Sequence, residues 1–159
     1  MIKISRNHIL AALAAALALT CALSVYAPLR FDRQRSMREQ AVKERLVKIR
    51  HAEERYRQAN GRYTDDMTEL VSRGYMADSL QYIPFADGKK FSVTVSTQIG
   101  KSGREIPLME CGAGYEDYLK GLDANSIANI IEEANSSGRY PGLKIGDITT
   151  PNDNAGNWE

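Results

Sequence analysis

Few residues in this chain have the chemistry of a catalytic group. The sequence contains two histidines, His8 and His51, and two cysteines, Cys21 and Cys111. A thiol and an imidazole can act as nucleophile and base, but the pair needs a third group that orients the imidazole, and none is evident for Cys111 and His51. Free cysteine is among the most often buried residue types, so the sequence favours a buried structural Cys111.

The acidic residues show no arrangement that suits acid–base catalysis. Glu132 and Glu133 are adjacent, and adjacent side chains diverge by about 100° on a helix. The sequence also has no phosphate-binding glycine loop and no zinc-ligand spacing. We therefore expect no catalytic residues, no cofactor site and a protein that is not an enzyme.

The carboxy-terminal segment offers oxygen ligands for a metal ion. Asp147, Asn152 and Asp153 lie in a segment rich in Pro, Gly, Asn and Asp, and carboxylate and amide oxygens are the ligands that calcium prefers. Their spacing is not that of an EF-hand. The sequence favours an Asx-rich turn without an ion and leaves a calcium site as the alternative.

Charge is distributed unevenly along the chain, although the total is only +1. Residues 30–62 carry 11 basic and 5 acidic residues, whereas residues 63–159 carry 8 and 15. A basic segment beside a membrane attracts anionic lipid, and it could equally bind the acidic part of another copy; a solvated helix face is the alternative. No nucleic acid is expected as a partner, because the basic segment offers no groove-reading motif.

An uncharged stretch of 21 residues, residues 9–29, follows a short amino-terminal tail, residues 1–8. At ~1.5 Å rise per residue, a helix of that length spans the ~30 Å hydrocarbon core of a bilayer. We predict a transmembrane anchor that contacts lipid from Ile9 to Leu29. Pro28 blocks signal-peptidase cleavage after Ala27. An uncleaved anchor is thus favoured over a signal peptide, a lipoprotein modified at Cys21 and a buried soluble helix.

Small residues recur every fourth position in the anchor, as in the pairs Ala11/Ala15 and Ala14/Ala18. Such spacing lets two membrane helices approach closely, so the anchor could contact a second copy or another envelope protein. The alternative is that alanine is a neutral filler.

A basic amphipathic helical stalk is predicted over residues 30–61. Its apolar side chains recur at steps of three and four residues, which predicts one buried stripe: Val42, Leu46, Ile49, Ala52 and Tyr56. Asn60 and Gly61 end the helix, because glycine readily takes the left-handed cap conformation. The stripe must pack on the rest of the chain or on another protomer.

Residues 62–159 are predicted to form a globular head with one core. Asp66 and Glu69 have capping-box spacing and open a short helix that Gly74 ends. Further signals predict strands over 80–85, 91–96 and 106–111, which form an antiparallel meander with turns at 87–88 and 100–103. A helix over 125–135, an irregular tail and one short strand over 143–148 follow. The predicted fold class is α+β, a transmembrane and amphipathic helix packed against a small antiparallel sheet.

The junction between the stalk and the head carries a distinctive segment. Residues 49–63 are Ile-Arg-His-Ala-Glu-Glu-Arg-Tyr-Arg-Gln-Ala-Asn-Gly-Arg-Tyr. This segment resembles type IV pilins and type II secretion pseudopilins, in which a long amino-terminal helix ends in the same Asn-Gly-x-Tyr turn before an antiparallel sheet. The closing Ala155-Gly156-Asn157-Trp158 is also similar to the end of major pseudopilins.

The resemblance implies a pilin-like shape, in which Tyr63 folds back onto the last turn of the helix. Major pseudopilins bind calcium in a comparable terminal loop, which is the second reason to consider calcium here. The chain departs from the family at two points. Its first glycine is Gly61 and its first acidic residue is Asp32, so the prepilin peptidase site and the early glutamate of the family are missing.

These observations predict a noncatalytic single-pass envelope protein that acts in assembly or scaffolding of a secretion-type or trans-envelope complex. The alternative is a membrane-anchored binding module for a peptide or glycan on the exposed face of the meander, and an enzyme of unfamiliar type is the third. A deep pocket with converging polar groups would favour the binding module.

The orientation of the anchor follows from two opposing arguments. More basic residues follow the apolar segment than precede it, which by the positive-inside rule favours a cytoplasmic head. The family resemblance favours export, and large domains translocate against such a bias. We expect a bacterial inner-membrane protein with a periplasmic carboxy-terminal domain.

Overall fold

The computed structural model describes residues 6–101 and 103–159, without the side chains of residues 6, 22, 23, 25 and 27. It has an α+β fold with one long helix and one small antiparallel sheet, as the sequence predicted. The elements in chain order are α1 (Arg6–Asn60), α2 (Met67–Ser72), a 3₁₀-helix (Asp78–Gln81), β1 (Ser92–Ile99), β2 (Glu105–Gly114), α3 (Tyr115–Tyr118), α4 (Ala124–Ser136) and β3 (Gly142–Gly146). Residues 1–5 of the predicted tail lie outside the described residues.

The chain separates into two compact units, of which the first ends at Ser36 and the second is Met37–Glu159. The described part of the first unit is helical and continues through Pro28. Its large apolar side chains are exposed, namely Ile9, Leu10, Leu13, Leu17, Leu19, Tyr26 and Leu29. Within the described residues, no helical stretch combines the length and the hydropathy that a membrane span needs. The predicted span includes Ala22, Leu23, Val25 and Ala27, whose side chains lie outside that description.

The second unit begins with the remainder of α1, whose apolar stripe is buried as predicted. Val42, Leu46, Ile49 and Ala52 are fully buried, and Tyr56 is 2% exposed. Complete burial of a leucine or isoleucine side chain stabilises a fold by about 1.5–3 kcal/mol. The stripe therefore forms the central part of the head's core.

The end of α1 has the predicted cap and turn. Gly61 has a φ of 77°, and its N–H donates to the carbonyl of Arg57 at 2.7 Å. Tyr63 is buried, and the Arg57 guanidinium lies 5.2 Å from the centre of its ring. The aromatic ring thus folds back onto the last helical turn, as the resemblance implied.

Arginines of α1 bind backbone carbonyls of the head, which the sequence analysis did not foresee. Arg38 Nη1 donates to the carbonyls of Tyr118 and Lys120, both at 2.9 Å. Arg45 donates to the carbonyl of Ser79 at 3.0 Å, and Arg55 donates to that of Tyr75. Some of the stalk's arginines therefore bind the head of the same chain, not an external partner.

The sheet has three antiparallel strands in the order β1-β2-β3. Val93 lies opposite Cys111, and Cys111 lies opposite Ile145 on its other side. Gly100 and Gly103 form the predicted turn between β1 and β2, although Ser102 within it is outside the described residues. Cys111 is fully buried, as predicted for this strand cysteine.

The predicted strand over 80–85 is wrong, and β3 is the third strand of the sheet instead. Residues 78–81 form a 3₁₀-helix, and of the predicted pairing only a single bridge between Tyr82 and Lys90 remains. Pro84 has no N–H to donate to a ladder. Phe85, with a φ of 63°, and Asp87, with a φ of 49°, then turn the chain away from an extended conformation.

The shorter helices begin and end at residues that cap them. Asp66 Oδ1 accepts a hydrogen bond from the Thr68 N–H at 2.8 Å and starts α2, and Asp123 does the same for α4 at the Ser126 N–H. Gly74 follows α2 with a φ of 74°. The predicted helix over 125–135 is confirmed within a residue at each end, whereas the one-turn α3 was not predicted.

The carboxy-terminal tail lies against both the sheet and α1. The Asn154 side chain donates to the Tyr63 hydroxyl at 2.7 Å, and Arg50 binds Glu159 at 3.0 Å. The Asn157 N–H donates to the carbonyl of Lys144 at 3.0 Å. The tail is irregular, as predicted, but it is fixed by side-chain and backbone hydrogen bonds.

Candidate functional site

The structure places the candidate catalytic residues in unrelated surroundings. The side chain of His51 is 65% exposed and lies 3.6 Å from Glu54, whereas Cys111 is fully buried in β2. Burial is the main cause that raises the pKa of the Cys111 thiol, and the charge of Glu53 adds to it. The thiol therefore stays protonated at neutral pH and is a poor nucleophile.

The adjacent glutamates of α4 are both surface residues. Glu132 and Glu133 are both exposed, and Glu133 binds the Arg139 guanidinium at 2.9 Å. An exposed carboxylate in an ion pair has no environment that would tune it for proton transfer. These residues act as surface groups of α4.

One of the candidate calcium ligands, Asp147, accepts hydrogen bonds from backbone N–H groups that follow it in the chain. Asp147 Oδ1 accepts hydrogen bonds from the N–H groups of Thr149 at 2.7 Å and Thr150 at 3.1 Å. Asn152 and Asp153 are exposed. Among the residues that the structure describes, no group of three or more His, Cys, Asp or Glu side chains is close enough to hold a metal ion.

A buried carboxylate lies beneath the junction of α1 with the head. Glu53 is fully buried, and its Oε2 accepts a hydrogen bond from the Thr64 N–H at 3.2 Å. Its Oε1 has no hydrogen-bond partner among the described residues. The pKa of Glu53 is raised from 4.5 to about 7, mainly by burial; the hydrogen bond from Thr64 lowers it, and the neighbouring carboxylates of Asp65 and Glu69 raise it.

Sequence analysis did not single out Glu53, although its position carried a signal. Glu53 lies seven residues after Leu46, four after Ile49 and three before Tyr56, which is the spacing of the buried stripe. A glutamate inside an apolar stripe is either unpaired and costly or has a specific partner. The backbone N–H of Thr64 is that partner.

A cleft of about 380 Å³ opens beside this junction. One wall is the connection between α1 and α2, and the other wall is the middle of β1 with the facing part of β2. The lining residues are Tyr56, Arg62, Tyr63, Thr64, Asp65, Asp66, Glu69, Val95, Ser96, Thr97, Pro107 and Leu108. We call this space the junction cleft; its volume lies within the usual range of ligand sites.

The polar side chains of the junction cleft are mainly acidic. Asp66 is engaged in capping α2, and Glu69 binds Arg73 at 2.8 Å and the Thr64 hydroxyl at 3.1 Å. Asp65 is exposed, and the described residues include no hydrogen-bond or ion-pair partner for its carboxylate. The lining also includes the cationic Arg62, so its three carboxylates and one guanidinium leave the cleft with a net negative charge that suits a cationic group.

A second cleft, of about 450 Å³, lies between the start of the sheet and α4. Its lining carries two lysines and two carboxylates, and one of these lysines, Lys89, lies 2.6 Å from Asp117. Burial raises the pKa of the lining Tyr140 to about 12, so its hydroxyl stays protonated. This cleft offers a ligand less uncompensated charge than the junction cleft does.

The exposed face of the sheet, where a ligand was considered, is partly covered. Ser96 donates to the carbonyl of Ile148 at 2.8 Å, and Gln98 donates to that of Thr149. Residues after β3 thus lie across this face. The junction cleft is the stronger candidate for binding.

No protein-family model, no curated protein and no solved structure matches this chain. Two features of the described residues bear on function, namely the exposed apolar stretch of α1 and the acidic junction cleft beside β1.

Proposed function

We propose that the protein is a noncatalytic, single-pass envelope protein with a pilin- or pseudopilin-like periplasmic head, and that it acts in assembly or scaffolding of a secretion-type or trans-envelope complex. The proposal places residues 9–29 in the bacterial inner membrane. Its partners are membrane lipid and either other envelope proteins or a second copy, contacted through the anchor and the stalk.

One observation carries the proposal. Residues 9–29 contain no charge, and their described large apolar side chains are between 50% and 66% exposed. An exposed apolar surface of this extent marks a contact with a membrane or a protein. The length of the stretch matches the hydrocarbon core of a bilayer.

The head supports a scaffolding role in a different way. Its helical part is held by arginine bonds to backbone carbonyls and by the tail through Arg50 and Glu159. A head held together by such contacts could offer a defined surface for assembly. The candidate nucleophile is buried and the candidate base is exposed, which gives catalysis no support.

The anchor is tested by membrane extraction of the full chain. Wild-type protein should stay with the membrane after carbonate treatment, and amino-terminal sequencing should find an intact start. The double substitution Leu13→Lys and Leu17→Lys should release the protein, because two charges in the middle of a span cost several kcal/mol. The matched control, Leu13→Ile with Leu17→Ile, should remain bound; release of wild type by carbonate would refute the anchor.

The scaffold is tested by replacing the small face of the anchor. Substitution of Ala11, Ala15 and Ala18 by leucine should keep the protein in the membrane and reduce the amount of protein that co-purifies with it from mildly solubilised membranes. Close helix approach needs small residues, so the loss should be specific to this face. An unchanged set of co-purifying proteins would show that the anchor only tethers the head.

A second function, as a membrane-anchored binding module, is favoured by the junction cleft. Its lining combines the carboxylates of Asp65, Asp66 and Glu69 with residues from the middle of β1.

A further inference from the structure

Strand β1 lies at one edge of the sheet and is hydrogen-bonded to β2 on its other side. The opposite edge, on β3, is covered, because the Gly146 N–H donates to the carbonyl of Ala155 and the Asn157 N–H donates to that of Lys144, both at 3.0 Å. The two edges of the sheet therefore differ. The tail covers the edge at β3 and makes no backbone hydrogen bond to the outer side of β1 among the described residues.

The start of that outer side is occupied by the preceding segment. The Phe91 N–H donates to the carbonyl of Gln81 at 2.9 Å, and the Ile83 N–H donates to that of Lys89 at 2.7 Å. Backbone groups alternate between the two sides of a strand, so Phe91 and every second residue after it point away from β2. The outward positions of β1 are thus Val93, Val95, Thr97 and Ile99.

These outward backbone groups are open. Within residues 6–101 and 103–159, no backbone or side-chain hydrogen bond reaches the outer side of β1 beyond Phe91. Natural edge strands are usually protected by lysine, proline, a bulge or a covering segment. The sequence of β1, Ser-Val-Thr-Val-Ser-Thr-Gln-Ile, contains neither charge nor proline and is rich in β-branched residues. It is a strand edge suited to accept another strand.

The junction cleft borders the middle of β1. Val95, Ser96 and Thr97 line it together with Pro107 and Leu108 of β2, and the connection with Asp65 and Asp66 forms the other wall. A chain that paired with β1 would run beside the cleft. Its side chains would meet the exposed Asp65 carboxylate, which attracts a lysine or arginine.

We propose that β1 accepts an extended basic segment of a partner polypeptide as a fourth strand, with a lysine or arginine side chain of that segment in the junction cleft. Backbone hydrogen bonds supply affinity in this mode of recognition, and the pockets beside the edge supply specificity. The proposal specifies the binding function named above and does not depend on the membrane anchor.

A second copy of β1 fits this edge less well. Antiparallel pairing that uses all four outward residues matches Val93 of one copy with Ile99 of the other. It then places Lys101 of one copy opposite Phe91 of the other, beside Lys90. Like charges so close disfavour the pairing, whereas a separate basic segment meets the acidic cleft without this conflict.

The test measures binding of a short fluorescent peptide to the full chain in lipid nanodiscs. The peptide alternates threonine and valine around one central lysine, and the comparison peptide has glutamate in place of the lysine. We expect the lysine peptide to bind at least tenfold more tightly. Hydrogen exchange should slow at the amides of Val93, Val95 and Thr97 when it binds.

Two substitutions separate the edge from the cleft. Thr97→Pro removes one outward N–H, and Asp65→Lys reverses the exposed charge; each should weaken binding at least tenfold. Glu132→Lys, an equal charge reversal on the exposed surface of α4, is the control and should leave binding unchanged. If Thr97→Pro fails to fold, peptides N-methylated at alternate positions replace it, and one of the two methylation patterns should abolish binding.

The outcomes that would overturn the proposal are distinct. Equal affinity for the lysine and glutamate peptides, or equal affinity for both N-methylated peptides, would remove its basis. A full chain that is oligomeric and becomes monomeric on Thr97→Pro would assign the edge to a second copy. None of these results touches the carbonate-extraction test, so failure of the strand proposal and failure of the membrane proposal are distinguishable.

Discussion

The two stretches of α1 differ in what covers their apolar side chains. Leu13 and Leu17 are more than half exposed, whereas Leu46 and Ile49 are fully buried. Burial of a leucine side chain is favourable in either stretch. The head provides it for the second stretch, and on our proposal lipid provides it for the first.

The largest effect that tests this comparison is expected at Leu46. Leu46→Asp should lower the free energy of unfolding by about 4 kcal/mol or prevent folding, because it leaves a cavity and buries a charge. Leu13→Asp should leave the stability of the head unchanged. Denaturation followed by Trp158 fluorescence measures both. An equal loss of stability in the two variants would abolish the distinction between the stretches, and the exposed Lys48→Asp should cost under about 1 kcal/mol.

The next effect concerns the charged residue inside the buried stretch. Burial raises the pKa of Glu53 from 4.5 to about 7, so the folded state binds its proton more tightly than the unfolded state does. The resulting stability is full below pH 4.5 and is lost as the pH rises through 7, by ~3 kcal/mol in total. Glu53→Gln should remove this pH dependence and be the more stable protein at pH 8.

Thermal melts across this pH range measure the effect of Glu53. Glu54→Gln is the matched control, because its carboxylate is partly exposed and lies beside His51. A pH profile that stays the same in Glu53→Gln and wild type would mean that the buried carboxylate does not titrate as its surroundings require.

A smaller effect is expected at Arg38, which joins α1 to backbone carbonyls of the head. Arg38→Ala removes two hydrogen bonds to carbonyls and should cost about 1–2 kcal/mol, since bonds from charged donors are the stronger kind. Arg38→Lys should recover only part of the loss. Lysine keeps a charged donor but lacks the planar fork of the guanidinium group. The exposed Arg33 is the control, and a loss on Arg33→Ala as large as on Arg38→Ala would separate stability from these bonds.

The smallest effect is expected at His51. His51→Ala should change the free energy of unfolding by no more than about 0.5 kcal/mol, because the side chain is largely exposed. Complementation of a deletion strain should also be unchanged, with or without Cys111→Ser. Loss of complementation without loss of stability would indicate catalysis and would contradict the scaffold proposal.

The parts of the fold that local chemistry determines were predictable from the sequence. The spacing of Val42, Leu46, Ile49, Ala52 and Tyr56 predicted the buried stripe, and Gly61 predicted the end of α1. Both depend on residues close together in the chain. Strand 92–99 and its hairpin followed from alternation and turn glycines in the same way.

The rest depends on residues far apart in the sequence. The segment 80–85 has strand-like composition, but Pro84 and the positive φ of Phe85 leave β3 as the third strand. Arg38 binds carbonyls 80 and 82 residues away. The junction cleft likewise joins Asp65 to Val95 and Thr97, and no local pattern reveals that meeting.

The contacts of the carboxy-terminal tail affect the order in which the protein folds. Asn154 binds Tyr63 across 91 residues, and Glu159 binds Arg50 across 109. Contacts of such separation form late, because the whole intervening chain must emerge before they close. Until these contacts form, the apolar stripe of the helix is therefore incompletely covered. This interval is when a chaperone would bind, and loss of the last few residues would lengthen it.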